Sequence, residues 1–184
     1  MLPTTPNVLP ASSPTSSPSA PSPVQFAFGD LEQELASTRR MLERFPSGHD
    51  DWRPHDKSTP LARLATHVAD IPNRGTAILE TAEMDLSMRQ PVPVLNTAAG
   101  LLAFFDANVE RLRPTMAAAD FASLQQPWTL RHGEHKILTA PKGALLRIMM
   151  ISHFVHHRAQ LGGYYRMLGV AVPGMYGPSA DEAV

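Results

Sequence analysis

Near the C-terminal end of the chain, three histidines fall within five consecutive positions, at His153, His156 and His157. The segment is predicted to be helical, and residues four apart lie on the same face of a helix, one turn from each other. His153 and His157 therefore present two imidazoles side by side, a spacing with which a helix can bind one metal ion. Because two protein ligands rarely suffice, the pattern predicts a third ligand elsewhere in the chain.

His67 is the candidate for that third ligand. It lies between Leu64 and Ile71 on the apolar stripe of another predicted helix, so its side chain is expected to point at the core. A hydrogen-bonded structural role is the alternative for any single histidine of this kind. Two such residues one turn apart make a metal ion an equally good interpretation, because the ion offsets the cost of burying imidazoles without partners. Three imidazoles would leave a position open for water or substrate, which is typical of catalytic sites.

Three further polar residues are candidates for supporting the ligands. His156 lies about 80° from the centre of the histidine stripe on a helical wheel, so it is predicted beside the ligand set and not in it. Gln160 follows His157 by about one turn and could bind that imidazole. Asp70 follows His67 by one turn and could orient its ring, although a solvated carboxylate is an equal alternative.

The remaining histidines are predicted to lie outside the site, in loops: His49, His55, His132 and His135. Other chemistries lack their motifs. No Glu-x-x-His pair of a di-iron bundle, no Gly-x-Ser-x-Gly elbow and no phosphate-binding or dinucleotide-binding glycine motif occurs in the chain. The catalytic residues themselves are therefore not identified, and the metal ligands are the part of a site that the sequence predicts.

Four amphipathic helices are predicted from apolar residues that recur every three or four positions, at about 27–45, 61–84, 96–113 and 141–168. Pro72 is expected to interrupt and kink the second of these helices, and Pro114 to follow the third. A short irregular or hairpin segment at about 127–138 precedes the last helix. The predicted fold class is all-α, a four-helix bundle.

Composition bounds the function. The 184 residues suit one domain with a real core, and a formal net charge of −1 without a basic stripe argues against a nucleic-acid partner. The chain has no cysteine, which excludes a disulfide framework, thiolate ligands and a cysteine nucleophile. No apolar run is long enough for a membrane span, and the first residues do not resemble a secretory signal, so a cytoplasmic location is expected.

The chain divides into two parts by composition. Residues 1–24 are dominated by proline, serine, threonine and alanine, and this leader is predicted to be disordered or polyproline-like because it has little to bury. Residues 25–184 form the predicted helical domain. Within that domain, the last helix is apolar beyond the histidine stripe, at Ile148, Ile151, Phe154 and Val155. This surplus predicts a two-fold homodimer, with covering loops as the alternative.

Several of these segments together resemble the DinB/YfiT-like family. The similar segments are 52–58 with the helix that carries His67, His153 through Leu161, 164–169, and 172–179. The resemblance extends over about 27–179 and is most specific near the C-terminus. One departure is Ala159, where the family pattern usually has glycine, and the proline-rich leader lies outside the pattern.

The resemblance implies a four-helix bundle in which three histidines bind one divalent metal ion, often in a homodimer. The ion is usually nickel or zinc, with iron or manganese as alternatives, and the corresponding ligands in this chain are His67, His153 and His157. Some relatives are transferases or isomerases that use a low-molecular-weight thiol, so a small thiol and an electrophile are the expected partners. A metal-dependent hydrolase and a non-catalytic stress-response protein with a structural metal remain the alternatives.

Overall fold

The computed structural model describes residues 23–182. The predicted disorder of the leader therefore concerns residues that lie almost entirely outside this range. The first described element is a short helix, α1 (Pro23–Ala27). Val24 within it is only 6% exposed and belongs to the hydrophobic core, so the last residue of the proline-rich segment packs against the domain.

Helices make up most of the described chain. α2 spans Leu31–Glu43, α3 spans Leu61–Glu80, α4 spans Ala98–Ala118 and the short α5 spans Phe121–Gln125. The last long helical segment is built from α6 (Lys142–Leu146), a π-helical turn (Arg147–Ser152) and α7 (His153–Met167). α3 packs against α4, α7 and the π-helical turn, and α2 packs against α4 and α7. No helix among residues 23–182 is long and apolar enough to cross a membrane.

The apolar stripe of α3 explains its central position. Leu61, Leu64, Val68 and Ile71 follow one another at helical spacing and are all fully buried. Gly75 on the same helix lies so close to its neighbours that a Cβ there would meet Met150 Sδ at 2.3 Å and a Leu112 methyl at 3.0 Å. A residue without a side chain is therefore what lets α3 approach both the π-helical turn and α4.

A small sheet corrects the all-α prediction. β1 (Glu83–Asp85), β2 (Pro127–His132) and β3 (His135–Pro141) form one sheet in that order, with β1 and β2 parallel and β2 and β3 antiparallel. The hairpin of β2 and β3 confirms one of the two predictions for the segment before the last helix. The described chain is mostly helical with a three-stranded sheet, and is not purely α-helical.

The sheet is attached to the end of α3 by Trp128. This side chain is fully buried, and its indole Nε1 donates a hydrogen bond to Thr81 Oγ1 at 3.0 Å. Arg131 on β2 also pairs with Glu83 and Asp85 on β1, which fixes the short strand beside its neighbour. The buried aromatic ring and these ion pairs stabilise a strand that is too short to show periodicity of its own.

Two predicted helix boundaries were wrong. α3 runs through Pro72 to Glu80 without interruption, and Met84, predicted to be helical, lies in β1. α4 likewise continues past Pro114 to Ala118. Proline removes one backbone hydrogen bond from a helix, but packing of the rest of the helix can outweigh that loss.

The apolar surplus on the last helix is smaller than predicted. Ile151 is 3% exposed and Phe154 is fully buried, with its ring 6.3 Å from that of Phe105. Ile148, by contrast, is 61% exposed, and Val155 is half-buried. Two of the four residues from which the homodimer was predicted therefore belong to the core of the single chain, and the dimer stays a prediction.

Candidate metal centre

The structure brings His67, His153 and His157 together. One ring nitrogen from each residue can be chosen so that all three lie within 4.8 Å of one another. The Nε2 atoms of His67 and His153 are 2.9 Å apart. The ring centroids lie 5.1 Å apart for His67 and His153, 4.6 Å for His67 and His157, and 4.5 Å for His153 and His157. Among the described residues, these three form the group that could hold a metal ion.

Two helices position these rings. His67 lies on the buried face of α3, between residues of the apolar stripe. His153 is the first residue of α7, directly after the π-helical turn, and His157 follows one turn later. A π-helical turn is wider than an α-helical turn, and such turns occur frequently at functional sites. It shifts the direction of α7 side chains relative to those of α6, and His153 and His157 face His67 from the end of that turn.

Gln160 holds the ring of His157. Gln160 Oε1 accepts a hydrogen bond from His157 Nδ1 at 3.0 Å, because an amide oxygen is only an acceptor. The proton is therefore on Nδ1, and the lone pair of His157 Nε2 is free for a ligand bond. Gln160 Nε2 in turn donates to Tyr164 Oη at 3.4 Å, which donates to the carbonyl oxygen of Thr59 at 3.3 Å. The supporting role of Gln160 stays a prediction, and this hydrogen bond places Gln160 where such a role would require it.

Burial keeps the three imidazoles neutral. Desolvation, with the positive charge of Arg74 as a further cause, lowers the pKa of His67 to about 3. Desolvation and the neighbouring His157 lower the pKa of His153 to about 4, and desolvation also lowers the pKa of His157. Metal ligands must be neutral imidazoles. Three neutral rings with converging nitrogens therefore fit a divalent ion.

His156 lies beside the set and outside it. Its side chain is exposed, and its ring centroid is 4.6 Å from that of His157. His132 and His135 face each other across the β2–β3 hairpin and are exposed, so they lie in strands and not in the predicted loop. His55 remains in a loop, where its Nδ1 accepts a hydrogen bond from a backbone N–H at 3.1 Å. Only His67, His153 and His157 converge.

Asp70 has a different role from either predicted one. Its carboxylate is 2% exposed, so it is not a solvated group. It forms an ion pair with Arg89, and its Oδ1 accepts from Asn73 Nδ2 at 3.4 Å. No hydrogen bond joins Asp70 to His67 among residues 23–182. Asp70 therefore holds the segment that carries Arg89 against α3 and does not orient the imidazole.

A pocket of about 530 Å³ opens beside the histidines. His67 and His157 line it on one side, and the irregular segment 86–94 lines it on the other. Two contacts tie this segment to α3: the Arg89–Asp70 ion pair, and the hydrogen bond that Leu95 N donates to Thr66 Oγ1 at 2.9 Å. The histidine set therefore adjoins a cavity large enough for a small organic substrate.

The arginines near this pocket were missed by the sequence analysis. Arg63 and Arg89 line the pocket, and the positive charge of Arg74 lowers the pKa of all three imidazoles. A signal was present in the sequence, because Arg63, His67, Asp70 and Arg74 are spaced by four, three and four residues and so share one face of α3. Apolar periodicity gives no information about charged side chains on the same helix.

Comparison with known proteins identifies the class to which this fold and site belong. The model of the DinB family matches residues 28–183, and the chain therefore belongs to the DinB family. Over 42 residues the chain is 45% identical to an uncharacterised protein, YrdA, of Bacillus subtilis (strain 168). That match covers 23% of this chain and 25% of YrdA, so it spans about a quarter of each protein.

Two crystal structures share the fold. A DinB-like protein of Bacillus subtilis, YjoA, matches with a TM-score of 0.63 at 16% identity, over 84% of this chain and 99% of that chain. A DinB-like protein of Bacillus cereus ATCC 10987 matches with a TM-score of 0.60 at 19% identity, over 82% of this chain and 95% of that chain. At these identities the likeness establishes the fold alone. The predicted family is confirmed by the family model that matches residues 28–183.

Proposed function

We propose that this protein is a metal-dependent transferase that joins a small thiol to an electrophile. His67, His153 and His157 would hold one divalent ion, nickel or zinc in the first instance. The observation that carries the proposal is the convergence of three neutral imidazoles beside a pocket of about 530 Å³, in a chain that contains no cysteine. Three protein ligands with a cavity at their side are typical of a catalytic site, whereas structural sites are closed.

The metal ion, the residues around it and the external thiol would have separate roles in this reaction. A divalent ion in this site would lower the pKa of a bound thiol, so that the reactive thiolate forms near neutral pH. Gln160 fixes the tautomer of His157, and burial keeps His67 and His153 unprotonated. The thiol must come from outside, because the chain supplies no sulfur nucleophile. In the transfer the S–H bond breaks and a bond forms from sulfur to one carbon of an activated double bond. The π bond breaks, its electron pair moves to the other carbon, and that carbon takes up a proton from solvent in place of the one that the thiol released.

The proposal carries three further expectations. The family resemblance implies a four-helix bundle and a homodimer in solution, and the composition predicts a cytoplasmic location. The same three ligands would also suit a hydrolase in which water takes the place of the thiol. A thiol is preferred because the resemblance implies thiol-dependent relatives.

A thiol-consumption assay tests the proposal. Metal-loaded and chelated protein are incubated with 2-mercaptoethanol or glutathione and a panel of electrophiles with activated double bonds. Turnover should require both metal and thiol, and His67→Ala should lose it while His132→Ala retains it. Turnover by chelated protein contradicts metal catalysis, and turnover that needs metal but ignores thiol indicates hydrolysis. No turnover across the panel favours a structural metal.

A further inference from the structure

The charge around the three histidines is unbalanced. Four ionisable side chains follow one another at helical spacing along one face of α3: Arg63, His67, Asp70 and Arg74. Asp70 is the one carboxylate among the described residues that line the pocket, and it is already paired with Arg89. The charge of that buried pair is therefore cancelled within the protein, and the two outer arginines are left over.

Arg74 is the more unusual of the two. Its side chain is half-buried, and its Nε atom is shielded from solvent without a hydrogen-bond partner among residues 23–182. No ion pair of Arg74 occurs in that part of the chain either. A buried N–H donor without an acceptor costs free energy, and proteins rarely leave one without a water, an ion or a ligand. Arg74 follows His67 by two turns on the same face of α3 and does not itself line the pocket. Its positive charge lowers the pKa of all three imidazoles.

Arg63 differs in exposure. It lies one turn before His67, is exposed, and lines the pocket. No ion pair of Arg63 is formed within the described residues. An exposed cation at the wall of a cleft attracts anions from solution and is sensitive to salt. The two arginines therefore flank His67 along α3, with Arg63 on the solvent side and Arg74 in the interior.

A metal ion makes the imbalance larger. Three neutral imidazoles add no negative charge to a divalent ion, so the site with its ion would carry the full charge of the dication together with the two arginines. Burying uncompensated charge is costly, and an anionic ligand is the direct remedy. The proteins that bind phosphate often use glycine-rich loops, whereas the described lining of this pocket contains no glycine. The planar guanidinium is suited to a planar carboxylate.

We propose that the pocket takes a carboxylate-bearing substrate, which pairs with Arg63 on the pocket wall and whose charge is further balanced by Arg74, two turns beyond His67 on α3. The inference rests on the proposed function, because it names the substrate class of the same site. The carboxylate belongs either to the thiol or to the electrophile. Arg89 is not assigned to the substrate, since Asp70 already occupies it.

Thiol binding to nickel-loaded protein provides the first test, read from the thiolate-to-metal absorption. 3-Mercaptopropionate carries a carboxylate, and 2-mercaptoethanol carries a neutral hydroxyl group. A carboxylate could also ligate the metal, so the diagnostic quantity is how much the ratio of the two dissociation constants changes on mutation. Arg63→Gln should lower the preference for 3-mercaptopropionate severalfold, because the pocket wall loses its unpaired cation. Arg74→Gln should lower it less, since that side chain does not line the pocket, and Arg74→Lys should leave the preference close to that of wild type.

The matched control is Arg111→Gln, which removes an exposed arginine of α4 that lines none of the pocket. It should leave the preference unchanged. A preference that is equal in wild type, Arg74→Gln and Arg63→Gln would overturn the inference. If Arg74→Gln does not fold, two other variants decide the question. Arg74→Lys keeps the positive charge at that position, and Arg63→Gln changes an exposed residue.

Calorimetry with malonate separates this inference from the proposed function. Malonate contains no thiol, and it should bind wild-type protein severalfold more tightly than Arg63→Gln. Binding should weaken as sodium chloride is added. If malonate behaves so but no thiol binds, the transferase proposal fails and the anion site stands. If neutral thiols bind and react while malonate binds all variants equally or not at all, the function stands and the anion site is wrong.

Discussion

Two neighbouring residues of α7, His157 and Arg158, have side chains in two different kinds of surroundings. His157 faces the histidine set and the pocket, whereas Arg158 faces the opposite side and is 2% exposed. Around Arg158 every strong interaction is satisfied within the chain. Around His157 the ring nitrogens of three histidines converge, and Arg74 Nε is buried without a hydrogen-bond partner among residues 23–182.

The Arg158 cluster comprises Arg158, Glu34, Thr38 and Tyr176. Arg158 Nη2 lies 2.7 Å from Glu34 Oε2 and donates to Tyr176 Oη at 2.6 Å. Arg158 Nη1 donates to the Glu34 carbonyl oxygen at 3.1 Å and to Thr38 Oγ1 at 3.2 Å. Tyr176 Oη also donates to Glu34 Oε1 at 2.8 Å. These contacts join α2, α7 and the C-terminal segment.

The difference separates a structural cluster from a binding site. A buried charge that has its counter-charge and its hydrogen bonds within the protein needs nothing further. A buried group whose partners are missing is expected to receive them from a ligand. The same helix thus stabilises the fold on one face and forms the candidate metal centre on the other, and mutations should divide accordingly.

The largest effect should come from the histidine face. His67→Ala or His153→Ala should abolish stoichiometric binding of nickel or zinc, because two imidazoles rarely hold such an ion. Equilibrium dialysis with metal analysis should give about one ion per chain for wild type and none for the variants. His132→Ala, which removes an exposed histidine of the hairpin, is the control and should bind normally. Full metal retention by His67→Ala would show that the ligand set is wrong.

The Arg158 face should respond in stability and not in metal binding. Glu34→Gln leaves the buried Arg158 without its counter-charge and should lower the free energy of unfolding by roughly 3–5 kcal/mol. Urea denaturation measures this change. Glu43→Gln is the control, since its pair with Arg39 is 42% exposed on both sides and is worth less than about 1 kcal/mol. Similar losses for the two variants would contradict the distinction between the clusters.

Gln160→Leu should weaken metal binding while leaving the fold intact. Without the Gln160 acceptor, His157 is no longer held in the tautomer that exposes the Nε2 lone pair. Loss of such a supporting contact typically reduces metal affinity by about 10-fold or more. Competition with a chromophoric chelator measures the affinity, and Gln125→Leu on the exposed surface of α5 is the control. Unchanged affinity would show that Gln160 does not support the site.

The smallest effect should appear on acidification of the metal-free protein. The pKa values of His67 and His153 are lowered to about 3 and about 4 from the ordinary value of 6.5, so the unfolded chain binds more protons between these values. Stability should therefore be constant above about pH 7 and fall as the pH drops from about 6.5 towards 4. Urea midpoints across this range should fall less steeply for His67→Ala than for wild type. If the urea midpoints of wild type and His67→Ala fell equally steeply with pH, protonation of His67 would not be the cause of the lost stability.

The same pKa values change the expected pH dependence of the loaded site. Ordinary histidines lose metal to protons near pH 6.5. With His67 and His153 lowered to about 3 and about 4, protons compete in the folded protein only in stronger acid. Metal loss, and with it any loss of activity, should thus follow acid unfolding more closely than the titration of free imidazole.

Helical periodicity in the sequence predicted which histidines converge better than it predicted the fold around them. His153 and His157 could be paired from their spacing, and His67 from its place on an apolar stripe, because both arguments need only local geometry. The parallel pairing of Glu83 with Thr129 joins residues far apart in the chain, and a strand of three residues has no readable period. Nothing local predicts that pairing.

Two other features depend on packing. α4 continues through Pro114 because the helix is held by its buried residues, and these contacts are not visible in the residue type. The burial of Ile151 and Phe154 follows from the same cause, since the π-helical turn changes which side chains of the last helix face inward. Spacing at a constant 100° per residue could not anticipate that change.

The wall of the pocket has a consequence for the adaptability of this protein. The three histidines stand on helices, whereas the segment 86–94 opposite them is irregular and tied to α3 chiefly through Arg89 and Leu95. Loops tolerate substitution and insertion far more readily than the packed elements that support them. Exchanging this segment, with Arg89 and Leu95 kept, should therefore alter which molecules enter while preserving the reactive centre. The segment 86–94 would then determine the range of substrates, and the helices that carry the histidines would determine metal binding.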